Sequence, residues 1–187
     1  NVSVGKDAGA SITSASHNVL IGTYAGDSLS SGERNTAVGN YALSAEDGDG
    51  YNTAIGYAAL LAQNAGATAY NVAVGYNAGQ AITTGNENTL IGGLAGDSLT
   101  TGAENVAIGH EALSTEDTGG TNVAIGRRAL KIQNAGVNAY NVAIGHNAGA
   151  AITTGTSNTI IGGDAGDVAA DTETSVFVGR DTGGATT

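Results

Sequence analysis

The 187-residue chain carries a formal net charge of −11, with 31 Gly and no Pro, Cys, Met or Trp. That charge argues against a nucleic-acid partner or an anionic bilayer, and the missing Cys removes disulfides and thiolate metal sites. With a single Phe, and apolar content supplied mostly by Ala, Val, Ile and Leu, the chain lacks the large side chains that fill a thick core. No apolar run is long enough to span a membrane.

The predicted elements, in chain order, are eleven short strands. Each follows one register residue: Asn1, Asn18, Asn35, Asn52, Asn71, Asn88, Asn105, Asn122, Asn141, Asn158 and finally Ser175. Successive register residues lie 17 positions apart, except for steps of 19 from Asn52 to Asn71 and from Asn122 to Asn141, so four units span 70 residues. Numbering each unit from its register residue, position two is Val or Thr, position four is Val or Ile, and position five is Gly throughout. Alternation of β-branched residues marks a half-buried strand. One short coil per unit, stacked on the next, makes an all-β parallel β-solenoid or β-roll of eleven coils. Asn18, Asn35, Asn52, Asn71, Asn88, Asn105, Asn122, Asn141 and Asn158 form its structural ladder. The repeat runs through 1–187 as one domain, and the absent initiator Met suggests a segment of a longer fibre.

Within the coil, position eight is Ala from Ala8 to Ala165. Gly near position fifteen (Gly32, Gly66, Gly85, Gly102, Gly119, Gly136, Gly155) is expected to supply a positive-φ turn before the next strand. Units with Gly at nine (Gly9, Gly26, Gly79, Gly96, Gly149) have Ile or Leu at twelve. Units with Leu at nine (Leu43, Leu60, Leu113, Leu130) have Glu46, Gln63, Glu116 and Gln133 there. One aliphatic per coil from either place implies that both positions address one core slot. In the tenth unit, which has Gly166 and Ala169, Val168 is the expected substitute.

The alternation also sets an expectation about burial. With positions two and four inward, position three faces out, yet it reads Leu20, Ala37, Ala54, Ala73, Leu90, Ala107, Ala124, Ala143, Ile160 and Phe177, with only Ser3 polar. A strand apolar on both faces is buried on both, so this face is expected to be covered by other copies of the chain.

The pentads N-T-A-I-G (Asn52 to Gly56) and N-V-A-I-G (starting at Asn105, Asn122 and Asn141) resemble the repeat of trimeric autotransporter adhesin heads. Similar repeats occur in phage tail-fibre proteins. The resemblance implies a left-handed β-roll in a homotrimer, extracellular, on a cell surface or on a virion, adhesive in bacteria and receptor-binding in phage. Handedness follows from the resemblance alone. The coils of 17 or 19 residues are longer than those of adhesin heads.

A search for chemistry finds no catalytic constellation. The clusters Glu46, Asp47 and Asp49, and Glu116 and Asp117, are read as solvated turn residues and, as a third and weaker reading, as the acid pair of a tailspike-like glycan hydrolase. His17, His110 and His146 share no regular face with a carboxylate, and Asp27, Asp97 and Asp167 recur four coils apart, about 19 Å, so no metal site and no cofactor are expected. Thr83-Thr84, Thr100-Thr101 and Thr153-Thr154 raise an alternative function, a monomeric ligand-binding solenoid such as an ice-binding protein. Recognition of a host surface glycan or protein receptor is placed on outward side chains of positions six and seven and on the longer coils: Tyr57, Tyr76, Arg127, Arg128, Tyr70 and Tyr140. The remaining partner is the chain itself, as a homotrimer or filament, with no membrane insertion by this segment.

Overall fold

The computed structural model describes residues 1–48, 50–168 and 172–183. Eleven three-residue strands, β1 (Val2–Val4), β2 (Val19–Ile21), β3 (Thr36–Val38), β4 (Thr53–Ile55), β5 (Val72–Val74), β6 (Thr89–Ile91), β7 (Val106–Ile108), β8 (Val123–Ile125), β9 (Val142–Ile144), β10 (Thr159–Ile161) and β11 (Val176–Val178), pair in chain order. Every pairing is parallel and in register, Leu20 beside Ala37 and Leu90 beside Ala107. This is the expected β-solenoid, without helix among the described residues. Ten spacings of about 4.8 Å make the sheet roughly 50 Å long.

The Asn ladder holds the coils in register. Each Asn is buried, and its Oδ1 accepts the backbone N–H of the next register residue, as from Asn18 to Asn35 (2.7 Å) and from Asn88 to Asn105 (3.0 Å). In 17-residue coils Nδ2 also donates to the carbonyl at position fifteen of its own coil, as from Asn88 to Gly102 at 2.9 Å and from Asn141 to Gly155 at 2.7 Å. Asn52 and Asn122, which open the long coils, lack that bond: Asn122 Nδ2 donates to Asn105 Oδ1 at 3.2 Å, and Asn52 Nδ2 has no partner among the described residues. Gln63 and Gln133 support the ladder after the two long coils. Their Oε1 atoms accept Nδ2 of Asn71 and Asn141 at 2.8 and 2.7 Å.

The core lies on the other side of the strands from the side expected. Leu20, Ala37, Ala54, Ala73, Leu90, Ala107, Ala124, Ala143 and Ile160 are fully buried inside their own coil, while positions two and four face outward, Val2 at 52 % and Ile91 at 38 % exposure. The apolar third positions therefore need no second copy to cover them. Parity gives the reason: position three shares its strand face with the ladder Asn at position one, and that Asn is inside.

The shared slot is present, with a third contributor. A Cβ on Gly96 would come within 2.8 Å of both Leu99 Cδ1 and Leu90 Cδ2, and one on Gly9 within 2.7 Å of Ile12 Cδ1 and 2.8 Å of Leu20 Cδ1. Leu20, Leu90 and Ile160 of position three thus fill the room that Gly leaves at nine. In the tenth coil this is done by Ile160 and Phe177, each 3.4 Å from a Cβ on Gly166; Val168 is 52 % exposed and is no substitute. Ala169 lies outside the described residues.

Two further expectations are corrected. Of the Gly residues near position fifteen, only Gly66 and Gly136, in the long coils, have positive φ. At Gly85, Gly102 and Gly155 a Cβ would instead collide with the next coil's carbonyl oxygen. Positive φ belongs to positions seven and seventeen, in Tyr24, Tyr41, Arg34 and Tyr51 among others, and to position nine, where even Leu113 has φ 51°. The other correction concerns Glu46 and Glu116, which are fully buried rather than solvated. Glu116 Oε1 accepts the Gly119 N–H at 2.8 Å and Oε2 accepts the Ala135 N–H at 3.3 Å, tying coil seven to coil eight. Asp49 lies outside the described residues.

Candidate functional site

The outward sheet face is a band of Val, Thr and Ile bordered by two polar and aromatic columns. One border is built from position seventeen, just before each register Asn, and the other from positions six and seven, just after the position-five Gly. The Gly5-to-Gly179 column makes the sharp exit from the strand possible: Gly109 has φ 138°, and a Cβ there would lie 2.5 Å from the Gly126 carbonyl oxygen. The exits then present position-six side chains at the strand spacing of about 4.8 Å, except in coils six and ten, where that position is Gly93 and Gly163.

In the first half of the chain the second border is a tyrosine ladder. Tyr24 stacks on Tyr41 with centroids 5.2 Å apart, Tyr41 meets Tyr57 edge-on at 6.1 Å, and Tyr57 stacks on Tyr76 at 5.5 Å with a 14° interplanar angle. Lys6 Nζ lies 5.6 Å from the Tyr24 ring centroid. In the second half the same column carries His110, Arg127 and His146 on coils seven to nine. Arg127 Nη1 lies 3.5 Å from His146 Nε2. Position-seven Arg128 turns instead to Glu111, its Nε donating to Oε2 at 2.7 Å while Lys131 Nζ donates to the same oxygen at 2.9 Å.

The structure thus joins Tyr57 to Tyr76 and separates adjacent Arg127 and Arg128 into different roles. Tyr70 belongs to the other border, where it meets Tyr51 at 5.1 Å; Arg34 Nη1 in turn donates to the Tyr51 hydroxyl at 2.8 Å. Tyr140 occupies the equivalent place on the second long coil and is 60 % exposed. Arg34 and Tyr51 were missed in the sequence, although the last residue of each unit read down the coils (His17, Arg34, Tyr51, Tyr70) shows the column. A notch of about 330 Å³ beside this border is lined by Glu33, Arg34, Tyr51 and Thr68, with Arg34 paired to Glu33 at 2.9 Å.

Among the described residues no three His, Asp or Glu side chains converge as metal ligands. The threonine turns form cross-coil bonds: Thr83 Oγ1 donates to the Thr100 carbonyl at 3.2 Å and Thr100 Oγ1 to the Asp117 carbonyl at 2.9 Å. Burial raises the carboxyls of Asp27 and Asp97 above their usual range.

Glu111 is the strongly perturbed acid of this flank. Hydrogen bonds from Lys131 and then Arg128 bring its carboxyl down to about 2. A depressed carboxyl contributes stability that is present above the unfolded-chain value near 4.3 and lost as pH falls towards the folded value. Because the pair is near the surface, that contribution is at most about 1 kcal/mol. Urea midpoints of the wild type and Glu111→Gln should therefore differ modestly at pH 6 and converge near pH 2; an unchanged difference at both pH values would show that Glu111 acts through packing alone.

The chain matches no family model, no curated protein and no solved structure in comparisons with known proteins. The functional reading accordingly rests on the residues and their placement.

Proposed function

We propose that the chain is a non-enzymatic structural and adhesive fibre segment, extracellular on a cell surface or virion, of the adhesin-head or tail-fibre-shaft kind that its pentads resemble. Three copies pack their sheet faces around a common axis, and the bordering side chains meet a host-surface glycan or protein. One observation carries this reading. Positions two and four of all eleven strands are Val, Thr or Ile, without a charged side chain, on a chain of net charge −11. A sheet face turned to water normally alternates to polar residues, and a long uncharged apolar band with a polar, aromatic border has the make-up of an interface. The number three comes from the resemblance of the pentads.

The buried, backbone-bound Glu116 supports the non-catalytic reading, since a hydrolase acid must reach its substrate. Light scattering should return three times the chain's 18.1 kDa mass and a rod. Ile91→Asp, which puts a charge on the outward face, should reduce the particle to one chain while the far-ultraviolet β-signal persists. A wild-type particle of one chain would end the fibre reading in favour of a monomeric ligand-binding solenoid. Two chains would keep a covered face but exclude threefold packing.

A further inference from the structure

We propose that the flank of coils five to eight binds an acidic saccharide, one sugar ring stacked on Tyr76 above Gly93 and its carboxylate or sulfate held by Arg127. The inference rests on the surface-presenting reading above and adds the ligand class and the place.

The first observation is a missing rung. Tyr57 and Tyr76 stack nearly parallel, with centroids 5.5 Å apart and planes at 14°. One face of Tyr76 is covered by Tyr57, and in the next coil, coil six, position six is Gly93. The next side chain in the column is His110, two coil spacings from Tyr76, about 9.6 Å. Position six of coil six thus carries no side chain beside Tyr76, which is itself 58 % exposed. A Cβ on Gly93 would lie 3.5 Å from His110 Cδ2 and 4.0 Å from the Tyr76 carbonyl oxygen, both ordinary contacts, so a side chain could stand there between His110 and Tyr76, beside the half-buried Leu94. An aromatic face beside polar groups suits the mixed apolar and hydroxylated surface of a sugar.

The second observation selects an acidic sugar. Coil eight carries three of the chain's six Lys and Arg residues: Arg127, Arg128 and Lys131. Two of them converge on Glu111, whereas Arg127 makes no carboxylate contact among the described residues and approaches only His146, at 3.5 Å. An exposed guanidinium left over on so acidic a chain has its planar donor fork free for an external carboxylate or sulfate. The backbone stacks His110, Arg127 and His146 directly: Arg128 N–H donates to the His110 carbonyl at 3.0 Å, and Asn147 N–H to that of Arg127 at 2.9 Å. Gly93 and Arg127 are thus two rungs apart on one line, within reach of a single short oligosaccharide.

The test is a titration of the whole chain with 3′-sialyllactose, 3′-sulfolactose and neutral lactose, followed by calorimetry and by tyrosine resonances. At least one acidic sugar should bind about tenfold or more tightly than lactose, and the two acidic probes show whether carboxylate or sulfate is preferred. Gly93→Tyr restores the missing rung at a position without left-handed backbone, and should abolish binding with little change in melting temperature. Arg127→Ser should lower the acidic sugar to the lactose level. Equal affinity for lactose, no binding by the wild type up to about 10 mM, or binding unaffected by Gly93→Tyr would overturn the proposal. Particle mass reads the fibre separately: a monomer that binds keeps the site and loses the assembly, and a trimer that does not bind loses only the site.

Discussion

Leu90→Asp should abolish the folded state of the central coils, whereas Ile91→Asp, one residue on, should leave the fold intact. Leu90 is fully buried, and its two Cδ atoms reach the Gly79 and Gly96 positions, so a single side chain fills the space of coils five and six. Removing it costs about 2–5 kcal/mol as a cavity. The carboxylate that replaces it has no cation within the coil, since the surrounding core is Ala, Leu and Ile, and an unpaired buried charge costs several kcal/mol more. Together these rival the whole stability of an ordinary domain, about 5–15 kcal/mol. Circular dichroism and urea unfolding of the two variants check the contrast. If Leu90→Asp melted within a few degrees of wild type while Ile91→Asp unfolded, the assignment of inside and outside would be reversed.

Leu113→Gly should destabilise the protein, and Ala107→Leu should restore part of the loss. The cavity left by Leu113 costs about 2–5 kcal/mol, reduced by about 1–2 kcal/mol because Leu113 sits at φ 51°, a conformation that Gly adopts without strain. Ala107→Leu alone overpacks the slot, at about 1–3 kcal/mol. Combined, the two recreate the Leu90 and Gly96 arrangement one coil earlier, so the double variant should be more stable than the sum of the single effects by at least about 1 kcal/mol. Glu116→Leu, which the exchange between positions nine and twelve also suggests, should not rescue. It removes the acceptor of the Gly119 and Ala135 N–H groups, and buried donors left without partners cost about 1–3 kcal/mol each. Strict additivity of Leu113→Gly and Ala107→Leu would show that positions three and nine occupy separate spaces.

The candidate site was legible in part. Tyr57, Tyr76, Arg127 and Arg128 stand out because positions six and seven vary while the rest of the coil is held by packing, and the structure does put them on one exposed flank. Their distinct roles were not legible, because Arg128 finds Glu111 seventeen residues back and Arg127 finds His146 nineteen residues on. The burial of Glu116 was hidden for a related reason. A carboxylate in a polar turn looks solvated in sequence, and only the stacking of coil eight brings the Ala135 N–H over it.

The sequence by itself determined the coil count, the strand positions, the parallel register and the Asn ladder, because each follows from a period that the chain repeats in its own residues. Alternation places positions two and four on one strand face and position three on the other, but β-branched residues suit a strand from either side. Which face is inside was decided by the tertiary structure. Closing the coil put the Asn ladder within, where each Oδ1 meets a backbone N–H of the next coil and Nδ2, in Asn18, Asn71, Asn88, Asn105, Asn141 and Asn158, a carbonyl of its own coil. Position three, two residues from that Asn, then had to follow it inside. There the coil leaves room mostly for Ala, admitting Leu20, Leu90 and Ile160 where Gly stands at position nine, and the larger β-branched side chains were turned to the surface.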